Sequence, residues 1–80
     1  MGEYVLRTRL VDNPGIVFYY KGTAKEKDAS LALNTIVAFE ISDAVKMGRD
    51  DACILCDLLN ADKESLKSKG YEAFEVVMVF

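Results

Sequence analysis

The sequence contains no histidine and no tryptophan, and its 80 residues include only two cysteines and one proline. Without histidine it lacks the side chain that most often serves as a general base and as a metal ligand. No glycine-rich phosphate-binding loop of the usual spacing is present either. The common catalytic constellations therefore cannot be assembled, and we expect a protein that is not an enzyme and needs no cofactor.

Long apolar runs are also missing. No stretch of about 18 uninterrupted apolar residues occurs, so no transmembrane helix is predicted. Arg7 and Arg9 interrupt the apolar residues near the start, which argues against a secretory signal. We therefore expect a cytoplasmic protein without a membrane partner, in which Cys53 and Cys56 are reduced thiols.

Apolar residues are nevertheless abundant, at 51% of the chain. A chain of this length forms a single domain, residues 1–80, and such domains bury only about 60% of the surface that the unfolded chain exposes. The excess of apolar side chains predicts a homo-oligomer, a dimer or higher, and a protein partner. Charge is uneven, since residues 1–27 carry a net +2 and residues 28–80 a net −5. An anionic partner should therefore prefer the N-terminal part.

The N-terminal third of the chain predicts a β-hairpin. Residues 4–11 and 16–21 are rich in β-branched and aromatic side chains, and the first run alternates polar with apolar positions. Between them, Asp12-Asn13-Pro14-Gly15 has the composition of a tight reversal.

Two helices are predicted next. Asp28 is placed as the N-cap of a helix that runs to about Met47, because apolar residues recur at helical spacing and Gly48 follows. A second helical segment begins at Asp50 and Asp51, with a break near Asn60 and Asp62 and an end at Gly70. Residues 52–59 remain ambiguous, since a buried strand is the alternative to a helix there.

Residues 71–80 predict a final strand, which is apolar on both faces toward its end and is therefore expected to be central in the sheet or covered by another subunit. The predicted fold class is α+β. A two-layer ββααβ arrangement packs two helices on a three-stranded sheet that the C-terminal strand completes. Such a sheet leaves one face open for a second subunit.

The basic and aromatic hairpin is the first candidate site. A tentative ligand-binding set comprises Arg7, Arg9, Phe18, Tyr20 and Lys21, whose guanidinium groups and rings could neutralise a phosphate and stack on a base. A loop of two or four residues would place Arg7 and Arg9 beside Phe18 and Tyr20, whereas an odd loop would bring Tyr19 there instead. Cation–π packing or an oligomer contact would account for the same pattern.

The Cys-x-x-Cys pair, Cys53 and Cys56, is the second candidate site. Such a pair can cycle as a dithiol or supply half of a zinc site. With no histidine and no further cysteine, a closed metal site would need two subunits, so no metal is expected. A buried cysteine that simply packs as a small apolar residue is the favoured explanation.

Three functions follow from these observations. The preferred hypothesis is a small oligomeric protein-interaction module that acts as an inhibitor, adaptor or regulator of another protein. The second is binding of a nucleotide, nucleic acid or other small anionic ligand at the hairpin. The third is thiol or inter-subunit metal chemistry at Cys53 and Cys56.

Overall fold

The computed structural model describes residues 2–24 and 32–79. The α+β prediction is confirmed, since an N-terminal hairpin, two helices packed on the sheet and a strand after the helices are all present. The sheet is antiparallel with the strand order β3-β2-β1-β4. Along the chain the elements are β1 (Tyr4–Arg9), β2 (Val17–Thr23), β3 (Thr35–Ala38), a 3₁₀ turn (Ile41–Asp43), α1 (Arg49–Ala61), α2 (Lys63–Lys69) and β4 (Glu75–Met78).

The predicted hairpin is formed by β1 and β2. Arg7 pairs with Tyr19, and the Leu10 N–H donates to the Ile16 carbonyl at 3.2 Å. The loop between the strands, residues 11–15, therefore has an odd number of residues. Because cross-strand partners project to the same face of a sheet, Tyr19 shares a face with Arg7 and Phe18 lies on the other face.

The helix predicted over residues 28–47 is wrong for its described part, and its proposed N-cap, Asp28, lies outside the described residues. Residues 35–38 instead form β3, so the sheet has a fourth strand, and a single 3₁₀ turn follows. Thr35, Ile36 and Val37 are consecutive β-branched residues, which favour the extended conformation. Their apolar spacing also fits a helix, and pairing with β2 decides between the two.

The chain after β3 is bound into the sheet where β1 and β2 diverge. Tyr4 and Met47 exchange two backbone hydrogen bonds, of 2.9 and 3.0 Å. The Val45 N–H also donates to the Tyr20 carbonyl at 3.0 Å. Residues 45–47 therefore satisfy backbone groups of both strands that would otherwise lack partners.

The second predicted helical segment is confirmed as α1 and α2, and the strand alternative for residues 52–59 is excluded. Asp62 divides the two helices and caps α2, since its side chain accepts from the Ser65 N–H at 3.2 Å. Gly70 ends α2 in the left-handed region, at φ 77°, which glycine adopts without strain. Within the described ranges, neither helix is long and apolar enough to cross a membrane.

The core lies between the helices and one face of the sheet. β1 and β2 contribute Leu6 and Tyr20, and α1 and α2 contribute most of the facing side chains. Met47, Leu55 and Val76 pack at its edge. The buried cluster consists of Leu6, Tyr20, Ala32, Ala52, Cys56, Leu59, Leu66 and Phe74.

The last strand is shorter than predicted and lies at the edge of the sheet, so its predicted central position is wrong. Both of its faces are apolar for separate reasons: Val76 packs against the core, whereas Val77 pairs with the fully buried Val5. Coverage of this strand by another subunit stays a prediction.

Between α2 and β4 the backbone departs from the regular ladder. Tyr71 pairs with Leu10 and Glu75 pairs with Arg7, so the register shifts by one residue between these points. At this irregularity the side-chain amide of Asn60 binds the backbone of Phe74. Its Oδ1 accepts from the Phe74 N–H at 2.7 Å and its Nδ2 donates to the Phe74 carbonyl at 2.9 Å. The amide thereby fixes the end of α1 to the start of β4.

Candidate functional site

Exposed apolar side chains concentrate around β3. Five of the nine large hydrophobic residues that are exposed in the described chain lie within residues 33–45, here called the β3 segment. They are close together in sequence but lie on both faces of the sheet, since Ile36 is on the face of Tyr19 whereas Phe39 contacts Phe18 on the helix face. The five are Leu33, Ile36, Phe39, Ile41 and Val45.

β3 is an edge strand without a charged side chain. It pairs with β2 on one side, and no described strand pairs with its other side. The opposite edge of the sheet differs, because β4 begins with Glu75, which binds Arg7. Edge strands in monomeric proteins usually carry charge or proline that discourages pairing with another chain, and Thr35–Ala38 has neither.

Phe39, directly after β3, is the most exposed of these side chains, at 70%. Its ring nevertheless lies 5.0 Å from that of Phe18, which in turn lies 5.7 Å from Tyr71. Tyr71 contacts Phe74 edge to face at 6.3 Å, so the row ends in the core. A ring held at its base and open to solvent on its outer side is a suitable anchor for a partner.

Charges of both signs lie at the β3 segment. Glu40 and Asp43 are exposed, but Lys46 Nζ lies 3.4 Å from the Ser42 carbonyl and Lys69 Nζ lies 3.0 Å from the Thr35 carbonyl. The sequence predicts a helix for this segment and does not indicate an exposed edge strand here. The signal that could have found it is the uncharged, β-branched run of β3 followed by an aromatic residue.

Known proteins give no guide to this surface. No protein-family model, curated protein or solved structure matches the chain.

The tentative ligand-binding residues do not all lie on the same face of the sheet. Arg7 and Arg9 lie on the face opposite the helices, whereas Phe18 and Tyr20 project to the helix face, where Tyr20 is buried. Lys21 is exposed at an irregularity in the pairing of β2 with β3. The aromatic residue that shares the arginine face is Tyr19, as expected for an odd loop.

The carboxylate of Glu75 binds both Arg7 and Arg9. Glu75 Oε1 lies 2.6 Å from Arg7 Nη2 and 3.4 Å from Arg9 Nη2, and it also accepts from Arg7 Nε at 2.7 Å. An anionic ligand would have to compete with this side chain for both guanidinium groups. The sequence gives no sign of this contact, because Glu75 lies 68 positions from Arg7 and only the β1–β4 register brings them together.

The two cysteines occupy different environments on α1. Cys53 is exposed, whereas Cys56 is buried, with its Sγ 3.2 Å from the Phe74 carbonyl and 3.4 Å from Asn60 Nδ2. Burial raises the pKa of the Cys56 thiol, and the neighbouring Asp57 adds to the shift. This environment supports a packing role for Cys56. Among the described residues no group of histidine, cysteine, aspartate or glutamate is arranged to hold a metal ion, and the thiol hypothesis stays a prediction.

The difference between the two thiols predicts two rates of modification. With a disulfide reagent at pH 8, we expect Cys53 to react at least about tenfold faster than Cys56, because only the thiolate reacts and Cys56 is shielded and hard to ionise. Absorbance of the released thiol would show a fast phase and a slow phase. Cys53→Ser should remove the fast phase and Cys56→Ser the slow one, whereas equal rates in the folded protein would contradict the buried position of Cys56.

Proposed function

We propose that this domain is a protein-binding module, acting as an inhibitor, adaptor or regulator, that adds an extended segment of its partner to the outer edge of β3. No described strand pairs with this edge, and the incoming segment would replace the hydrogen bond that Lys69 Nζ donates to the Thr35 carbonyl at 3.0 Å. The observation that carries the proposal is the uncharged edge strand followed by the exposed ring of Phe39. In such a complex, backbone hydrogen bonds to the edge supply affinity, and side chains on alternate positions supply specificity.

The chemistry of the β3 segment specifies the partner segment. Ile36, 44% exposed, and Phe39 offer apolar contacts on opposite faces of the sheet, so the partner should present β-branched or aromatic side chains on both of its faces. Because Lys46 and Lys69 offset the charge of Glu40 and Asp43, the β3 segment favours neither sign of charge in the partner. We therefore propose a short, extended, apolar segment.

A second copy of this chain is the alternative occupant, consistent with the homo-oligomer expected from composition. Two-fold pairing of two β3 edges would be antiparallel, and it would place Glu40 and Asp43 of each copy toward the start of β3 in the other copy, apart from the same residues there. The face opposite the helices is polar around Arg7, Arg9 and Glu75, which disfavours a dimer closed through that face.

The proposal is tested by selecting binders from a library of random linear peptides. We expect the selected peptides to be rich in β-branched and aromatic residues, and their addition to shift the NMR signals of residues 33–39. Phe39→Ala should weaken binding by roughly tenfold to a hundredfold, as for an interface anchor. Ile54→Ala is the matched control, because Ile54 is 60% exposed on α1 and lies outside the β3 segment.

Backbone pairing has its own test. Two series of a selected peptide are made, each N-methylated at alternate positions, so that each series lacks the backbone donors along one edge of the bound strand. The series methylated on the edge that faces β3 should lose binding, whereas the other series should keep it. Peptides that bind equally in both series, or that bind Phe39→Ala as tightly as the parent protein, would contradict strand addition at β3. A concentration-dependent dimer that Phe39→Ala dissociates would assign the edge to a second copy.

A further inference from the structure

A cleft of about 520 Å³ lies on the side of α2, next to the hairpin loop. Its volume falls in the range of about 300–1,000 Å³ that is usual for small-ligand sites. The apolar part of its lining comes from Val11, Leu66, Tyr71 and Ala73. The cleft is separate from both the β3 segment and the arginine pair, since it shares no lining residue with either.

Two lysines give this cleft a positive rim. Lys63 and Lys67 are four positions apart on α2, so their side chains lie on the same side of the helix. Neither ammonium group forms an ion pair with a carboxylate of the described residues. Asp12 is the one carboxylate in the lining, which leaves the cleft with a net charge of +1. This contrasts with Arg7 and Arg9, whose charge Glu75 already partly neutralises.

Two other polar groups of the cleft already have partners. The Asn60 amide binds the Phe74 backbone, and the Gly70 carbonyl accepts from the Val11 N–H at 2.9 Å. A ligand would therefore meet apolar walls and two available ammonium groups. A neutral polar molecule would gain little affinity here from further hydrogen bonds.

We propose that this cleft binds a small amphipathic organic anion, with the anionic group at Lys63 and Lys67 and the apolar body against Leu66, Tyr71 and Ala73. The two ammonium groups offer a carboxylate or a phosphate charge-assisted hydrogen bonds. The apolar body leaves water on binding, which supplies most of the affinity. The inference is independent of the proposed function at β3.

The test is an NMR titration with decanoate below its micelle concentration, with decyl phosphate and the neutral decanol as parallel arms. We expect saturable shifts confined to residues 11–12, 60–67 and 70–73, and weaker binding at high salt. Decanoate and decyl phosphate should both bind, and whichever binds more tightly identifies the preferred anion. Decanol should bind roughly tenfold more weakly than decanoate, because it lacks the charge.

Two variants and a matched control locate the site. Lys63→Gln/Lys67→Gln should weaken decanoate binding by roughly tenfold. Lys46→Gln/Arg49→Gln removes the same charge from exposed basic side chains elsewhere and should leave binding within about twofold. Ala73→Leu, which fills the apolar wall, should also weaken binding. Equal binding of decanol, shifts that map to residues 33–45 or to Arg7 and Arg9, or equal loss in both double variants would each overturn the proposal.

Discussion

Replacing Leu59 with alanine is expected to lower the free energy of unfolding by about 2–5 kcal/mol. Leu59 is fully buried in the cluster between α1 and the sheet, so the substitution removes apolar contacts and leaves a cavity. A domain of this size has a total free energy of unfolding on the order of 5–15 kcal/mol, so the expected loss is a large fraction of it. Urea denaturation followed by circular dichroism measures the change directly.

The neighbouring residue supplies the control. Leu58 is on the same helix but is 56% exposed, so Leu58→Ala makes the same chemical change without opening a cavity. We expect a loss of less than about 1 kcal/mol there. If the two variants lost equal stability, α1 would not present Leu59 to the core. A larger loss for Leu58→Ala would place the other side of α1 against the sheet.

Asn60→Ala is the second change with a large expected effect, a loss of about 2–3 kcal/mol of unfolding free energy. The substitution removes both hydrogen bonds to the Phe74 backbone, and a buried or half-buried backbone group without a partner costs about 1–3 kcal/mol. The Phe74 carbonyl keeps the Cys56 thiol as a donor, whereas the Phe74 N–H loses the acceptor described here. Thermal or urea unfolding gives the magnitude.

Hydrogen exchange gives a local measure of the same contact. The Phe74 amide proton should exchange faster in Asn60→Ala, since it no longer has the Asn60 Oδ1 acceptor. Asn13→Ala is the matched control, because Asn13 is exposed in the hairpin loop. It should change stability by less than about 1 kcal/mol. An unchanged Phe74 exchange rate in Asn60→Ala would show that the amide does not hold β4 to α1.

The parts of the fold that sequence predicts well are those determined by local chemistry. Asp12-Asn13-Pro14-Gly15 restricts the chain to a reversal between two β-prone runs, and the hairpin follows. Asp62 and Gly70 mark the break and the end of the helical segment through capping. In each case the residues that determine the structure lie within a few positions of one another.

The parts that sequence predicts poorly depend on distant partners. Residues 35–38 fit a helix and a strand equally by apolar spacing, and β2 selects the strand by pairing with them. The loop of residues 11–15 sets which aromatic side chain joins Arg7, and composition alone left its length open. Asn60 was expected only to break a helix, because nothing local indicates that its amide binds Phe74.

The backbone bonds of residues 45–47 have a consequence for how β3 can exchange partners. A hairpin edge that is attached to its sheet through one neighbour alone can detach and pair with the equivalent strand of another molecule, which is the route to domain swapping. Here the segment that follows β3 is hydrogen-bonded to Tyr20 of β2 and Tyr4 of β1. We therefore expect an incoming strand to enlarge the sheet from four strands to five, with β3 kept in place.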